Sequence, residues 1–324
     1  MRALCSQWPA LAFFALLAVV GLVIDPFWQS LLTLVFFYAL MGMTWNLMMT
    51  AGLLSLGHAL FLGLGAYSTA VLSQTYGWNP WLAIAAGAIL SSIIGVVITW
   101  IGVRFSVKGV HFALLTIAFA ELTRVIFDNW ELVGGTGGYF LKAINPDTNR
   151  PLESLRGGTL YFYLAFLAIT VAGYAIVTIL MNSRWGYRWR ALHEDEEAAR
   201  ALGVPALRSK IFVVAISAGL AGIGGGVMAM MQGSLFPDSI MGLRLSIEVL
   251  IAPIIGGLGS LFGPVVGAFF VVPLMEASNV LGQSTGLFGL NTLIYGVVIL
   301  LVITFLPEGI WPRVVRLLRP RERK

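Results

Sequence analysis

Charge is what this sequence has least of. Of its 324 residues only 11% are Asp, Glu, Lys or Arg, against 58% hydrophobic. A water-facing domain carries about 25% charged residues, so this chain cannot cover a hydrated surface of ordinary size. Its medium is lipid. Cysteine is nearly absent as well: Cys5 stands alone, which excludes an internal disulfide framework. The three histidines, His58, His111 and His193, are too scattered to predict a metal site. Other missing patterns exclude chemistry. There is no G-x-x-x-x-G-K-[ST] loop to cradle a nucleotide, no H-E-x-x-H and no G-x-S-x-G nucleophile elbow. No catalytic residue, metal ligand or cofactor is therefore expected in this chain.

A net charge of +5 raises the question of an anionic partner. The basic residues, however, cluster in short segments between apolar runs, the positive-inside pattern of membrane proteins rather than a nucleic-acid face. No nucleic-acid partner is expected. The partner surface is the bilayer.

What is present is apolar sequence in lengths near the 20 residues that cross a bilayer. Such stretches lie near 10–24, 28–49, 59–75, 81–103, 109–129, 159–181, 211–231, 244–258, 261–280 and 287–306. The expected fold is an all-α polytopic helix bundle of about ten transmembrane helices, forming one membrane domain over 1–324. The first stretch, flanked by Arg2, resembles a signal-peptide core, but no small-x-small site follows Ile24-Asp25-Pro26, which predicts a retained helix. The stretches at 244–258 and 261–280 are dense in Gly and Pro, from Pro253 to Pro273. They read as broken or re-entrant segments.

Arginine and lysine set the orientation. They collect at Arg2, at Arg104 and Lys108, in a loop at 182–210 and in a basic tail at 307–324. Ten crossings put all four on one side, so both termini are expected in the cytoplasm of a bacterial inner membrane. The 131–158 segment, with Gly134, Gly135, Thr136, Gly137 and Gly138, is then the largest external connection. Gly52–Gly57 and Gly257–Gly263 show a weak internal similarity, as repeated transporter halves do.

The 182–210 loop is the most specific feature. Glu194, Asp195, Glu196 and Glu197 are placed to complement a helix N-terminus, Ala198 and Ala199 are good helix formers, and Gly203 followed by Pro205 stops the helix. A short self-terminating helix of small residues suits docking into a partner's groove. It equally suits an ordinary capped loop. Three further positions carry polar chemistry inside apolar stretches. Glu121 and Arg124 can meet at i, i+3, as a gate or as a structural pair. Glu248 can meet a substrate ammonium or snorkel to the interface. Ser55, Gly57 and His58 interrupt the second and third stretches, lining a path or forming a turn. Small residues Ala218, Gly222 and Gly226 repeat every four positions and predict close helix packing. Aromatic residues near stretch ends, Trp28, Tyr163 and Trp311 among them, read as interfacial anchors.

Glu197-Ala198-Ala199-x-x-x-Gly203 resembles the coupling motif of ABC-importer permeases, without the isoleucine and leucine-proline ending of the longer form. Leu54-Ser55-Leu56-Gly57-His58-Ala59-x-Phe61-x-Gly63-x-Gly65-Ala66-Tyr67 resembles a signature of branched-chain amino-acid permeases. The same holds for Gly256-Gly257-Leu258-Gly259-Ser260-x-x-Gly263-Pro264-Val265-Val266-Gly267-Ala268 and for the Gly134–Gly138 loop. Together they are similar to the LivM-type subunit of that system, over about residues 30–310. The resemblance implies a complex with a homologous LivH-type permease, two cytoplasmic ATPase subunits that bind ATP and Mg, and a periplasmic substrate-binding protein. A urea or short-amide importer of the same architecture is the alternative, followed by an ion-coupled secondary transporter. A membrane-embedded enzyme would need catalytic groups that the sequence lacks.

Overall fold

The computed structural model describes residues 8–141, 157–285, 290–306 and 308–318. Its elements in chain order begin with α1 Trp8–Val20, α2 Pro26–Met49, α3 Ala59–Gln74, α4 Pro80–Arg104, α5 Val110–Asp128, β1 Tyr139–Phe140 and α6 Thr159–Met181. They continue with α7 Arg184–Glu194, α8 Glu196–Ala201, α9 Ala206–Gln232, β2 Ser234–Leu235, α10 Pro237–Met241, α11 Leu243–Gly256, α12 Gly263–Thr285, α13 Leu290–Phe305 and α14 Ile310–Leu318. The architecture is an all-α, multi-pass bundle. Among the described residues the one strand pairing is antiparallel, Tyr139 opposite Leu235 and Phe140 opposite Ser234.

Every apolar stretch produces a helix, yet not every helix has full length. Seven described stretches are long and apolar enough to cross a membrane: α2, α4, α5, α6, α9, the α10–α11 run over Pro237–Gly256, and Gly263–Gly282 of α12. The helices α1, α3 and α13 have 13, 16 and 16 residues and fall short of the ~20 needed. The physical reasons are local. After Val20 the chain turns through Gly21–Ile24, and residues 50–58 are unwound before α3 starts. Arg2 and Cys5, residues 142–156, and Arg319, Arg321, Arg323 and Lys324 lie outside the described residues.

Helix starts follow local chemistry. Asn79 accepts a hydrogen bond from the Trp81 amide at 2.9 Å, with Pro80 at the first helical position of α4. Pro26 and Pro237 occupy the same position in α2 and α10. Gly233 ends α9 with φ of 69°, a left-handed conformation that favours glycine.

The helix α2 is the centre of the bundle. Its residues from Val35 to Met48 are all buried, and it packs against α6, α9, α11 and α12. On one side α3, α4 and α9 form a tight trio. Gly222 of α9 lies against Ser91 and Ala88 of α4 and against Gly65 of α3, while Gly226 faces Thr69 and Ile84. The small-residue stripe is therefore a packing face. On the outside of α4, Leu82, Ile89, Ile93, Val97 and Trp100 form an exposed apolar stripe suited to lipid. Aromatic contacts bind α1 into the bundle: Phe13 and Phe14 meet Phe262, which also packs on Tyr174 and Trp311. Tyr163 departs from the expected interfacial anchor. It is fully buried and donates to the Leu17 carbonyl at 2.6 Å, because it sits on the face of α6 turned toward α1.

The loops sort to two ends. Lys108 pairs with Glu197, Gly52 lies beside Leu192, and Gly257 lies beside Pro312. Asn46 near the end of α2 clasps the 257–262 turn, donating to Ser260 O and accepting from Gly259 N, both at 2.9 Å. These contacts gather residues 50–53, 108, 184–208, 257–262 and 309–312 at one end, here the basic end. The β1–β2 pair and the glycine loop lie at the opposite end, on the C-terminus of α5.

Candidate functional site

Two regions concentrate the expected site residues, and an unwound strip joins them. At the basic end, α7 stops at Glu194 because Asp195 takes extended backbone (φ −152°, ψ 108°). Its carboxylate accepts from the amides of Glu197 and Ala198, at 2.9 and 3.0 Å, and so caps α8. Glu194 therefore closes the preceding helix and is not part of the acidic N-terminal turn expected from the sequence; Glu196 and Glu197 alone occupy that turn. At the other end Gly203 has φ of 85°. The Gly203 amide donates to Arg200 O at 2.9 Å and the Val204 amide to Ala199 O at 3.0 Å. This is a Schellman termination.

The two caps fix a six-residue helix with a divided surface. Ala199 is buried with Leu192 and Ala206 in a small core separate from the main one. Glu197, Ala198, Ala201, Leu202 and Gly203 are exposed, Leu202 by 86%, so an apolar knob projects from the basic end. Glu196 anchors it: its carboxylate receives Arg200 at 2.6 Å and Lys210 at 2.8 Å. Burial pushes the Glu196 carboxyl up, but Lys210, Arg200 and Lys108 outweigh that and hold its pKa below the ordinary carboxylate value.

The second region is a cleft of about 490 Å³ between α5, α10 and α11. Glu121, Arg124 and Glu248, expected separately from the sequence, all line it, together with Asp238 and Arg244. Arg124 reaches Glu121 at 2.8 Å and Asp128 at 2.6 Å, with Asp238 4.0 Å away. Glu248 receives Arg244 at 3.0 Å and the Tyr38 hydroxyl at 2.9 Å. It is thus held inside the bundle rather than snorkelling freely. The cleft therefore brings both signs of charge together between the C-terminal part of α5 and the Pro237–Gly256 run. Asp238 and Tyr38 had no local signal in the sequence; only folding brings them here. The glycine loop adjoins this site: Gly135 sits against the Asp128 carbonyl, and Gly138, with φ of 83°, lies under Phe236 just before α10.

Between the regions runs the strip from Ser55 to Ala59. Ser55, Gly57 and His58 are completely enclosed, so in this conformation they line no open path. The strip's backbone is satisfied by side chains from three helices. The Trp45 indole donates to Ser55 O at 2.6 Å. The Leu56 and Gly57 amides donate to Thr116 Oγ1 at 3.0 and 3.3 Å, and the Ala59 amide to Ser246 Oγ at 3.1 Å. A Cβ on Gly57 would collide with the Thr116 carbonyl. Thr44 Oγ1 donates to Met41 O at 2.7 Å, so its 2.9 Å contact with His58 makes Nε2 the donor. Among the described residues no group of three His, Cys, Asp or Glu is placed to hold a metal.

Residues 28–305 match the family described as branched-chain amino acid transport system / permease component. The chain is 28% identical over 303 residues to the high-affinity branched-chain amino acid transport system permease protein LivM of Escherichia coli, covering 86% of this chain and 69% of that one. It is 24% identical over 271 residues to a probable branched-chain amino acid transport permease protein LivH of Methanocaldococcus jannaschii, covering 78% and 82%. A solved structure, PsaBC from Streptococcus pneumoniae in complex with Fab, aligns with a TM-score of 0.48 at 16% identity, covering 93% of this chain and 99% of that one. A match that spans the bundle from α2 to the end of α13 leaves one assignment: this multi-pass membrane protein belongs to the branched-chain amino acid transport permease family.

Proposed function

We propose that this chain is a LivM-type permease subunit of an ABC importer for branched-chain amino acids in a bacterial inner membrane. It forms a single transmembrane domain with ten crossings, three of them by short helices, and with both termini in the cytoplasm. It pairs with a LivH-type permease, receives substrate from a periplasmic binding protein and is driven by two ATPase subunits. Those subunits bind ATP and Mg; this chain performs no catalysis.

The observation that carries this reading is the knob at Glu197–Gly203. It is capped at both ends, tied to α9 through Glu196 and Lys210, and exposes Ala198, Ala201 and Leu202. A helix fixed so firmly, with a small apolar face left open, is built to receive force from a docked partner.

The cleft supports the rest. The side chains of Arg244 and Asp238 are 85% and 88% exposed on the flank of the bundle. Even with Arg244 on Glu248 and Asp238 near Arg124, charge turned toward lipid is unfavourable, so a second permease covers this face and encloses the path. Charges of both signs suit a zwitterionic amino acid, whereas urea and short amides carry no charge to match them.

The test is reconstitution of the complete complex with its binding protein. ATP-dependent uptake of leucine, with urea and short amides as competitors, is the expected result. Uphill transport by this polypeptide alone on an ion gradient would refute the importer reading, and preferential uptake of urea would refute the cargo.

A further inference from the structure

The hydrogen bonds of the unwound strip form a continuous connection between the knob at the basic end and the charged cleft. We propose that the strip Ser55–Ala59 is the mechanical joint of the permease, with Ser217 and Thr44 as its input and Thr116 and Ser246 as its output. This rests on the importer reading above and goes beyond it by naming the positioning residues.

The input side begins at the buried Lys210, which binds Glu196 of the knob at 2.8 Å in the first turns of α9. Trp189 ties the preceding helix α7 to the same turn of α9, its indole donating to Ser209 O at 2.9 Å, and Ala199 of the knob packs on Leu192 of α7. The knob and the start of α9 therefore move as one body. Ser217 lies seven residues above Lys210, on the same face of an uninterrupted helix. Its hydroxyl donates to the Thr44 carbonyl at 2.7 Å, fully buried. Thr44 in turn holds His58, the residue that heads α3.

The output side divides. Thr116 receives the Leu56 and Gly57 amides, and Ser246 receives the Ala59 amide. Thr116 belongs to α5 and Ser246 to α11, the helices that carry Glu121, Arg124, Arg244 and Glu248. A shift of α9 against α2 thus reaches both walls of the cleft through one short strip that is non-helical up to His58, where α3 begins. An unwound strip is suited to this task, since a few residues with side-chain-satisfied backbone can change direction where a hydrogen-bonded helix cannot. Three helices each contribute a side chain to the same five residues.

The experiment uses the assembled transporter in lipid nanodiscs and proteoliposomes, with substrate taken up per ATP hydrolysed as the readout. Wild type must first show ATP-driven uptake; its failure would refute the importer reading and not the joint. Thr116→Val and Ser246→Ala are expected to assemble, to keep basal ATP hydrolysis within twofold of wild type, and to lower uptake per ATP at least tenfold. Thr116→Ser, which keeps the accepting hydroxyl, is expected to restore coupling. Should Thr116→Val fail to assemble, Ser246→Ala and Ser217→Ala decide alone. Uptake per ATP equal to wild type in an assembled variant, or equal loss in Thr116→Ser and Thr116→Val, would overturn the proposal.

Discussion

Tyr38 and Glu248 meet across 210 residues of sequence, the phenol of α2 donating to the carboxylate of α11 at 2.9 Å. This bond ties the cleft to the most deeply buried helix of the bundle. It also decides how Glu248 behaves, because the carboxylate has one oxygen on Tyr38 and the other on Arg244.

Tyr38→Phe removes only the donor. Hydrogen bonds to charged groups contribute about 1.5–3 kcal/mol, and Arg244 stays on the other carboxylate oxygen. Chemical unfolding in detergent is expected to show a loss in that range. A change under about 0.5 kcal/mol would mean that Arg244 alone positions Glu248.

The Arg124 cluster makes a sharper prediction. Because Arg124 serves Glu121, Asp128 and the nearby Asp238 together, exchanging Glu121 and Arg124 does not restore the pattern. The exchange places a carboxylate at 124 beside two others. Arg124→Gln, which strands the acids, is expected to cost about 1 kcal/mol, since the part-exposed setting screens these pairs. Arg124→Glu combined with Glu121→Arg is expected to be worse, and Arg124→Lys milder than both. Folded yield by size-exclusion chromatography ranks them, and rescue by the double exchange would contradict the geometry.

Glu196 predicts a pH dependence whose sign is set by its lowered pKa. A carboxyl with a folded pKa below its unfolded value of 4.5 stabilises the fold above that value. The contribution is lost as pH falls below 4.5 through the folded pKa. Wild type is expected to exceed Glu196→Gln in thermal stability at neutral pH, with the gap closing under acid. A constant gap would show that Lys210 and Arg200 do not act through the charge.

How much of this was legible in the sequence depends on the range of the interaction. The stop at Gly203 was readable because glycine and proline act within a few residues. The start of the same helix was misread at Glu194, because the extended backbone of Asp195 splits one acidic run between two helices. The ten apolar stretches were readable from hydropathy, but the length of α3 was not. Its late start depends on Thr116 and Ser246, which supply hydrogen bonds that the 55–59 backbone would otherwise make in a helix. The cleft was visible only in fragments. Glu121, Arg124 and Glu248 stood out as charges in apolar sequence, whereas Asp238 lay in what looked like a loop. Tyr163 failed for a related reason, since hydropathy places an aromatic residue near a helix end without saying which face it occupies.

The helix α3 has 16 residues, four of its first eight being alanine or glycine, and its flanks are covered almost completely by neighbours. Such a segment is apolar but shorter than the ~20 residues that cross a bilayer unaided. The glycine faces of α4 and α9 enclose it in the folded bundle, so its berth is complete only once those later helices are in place.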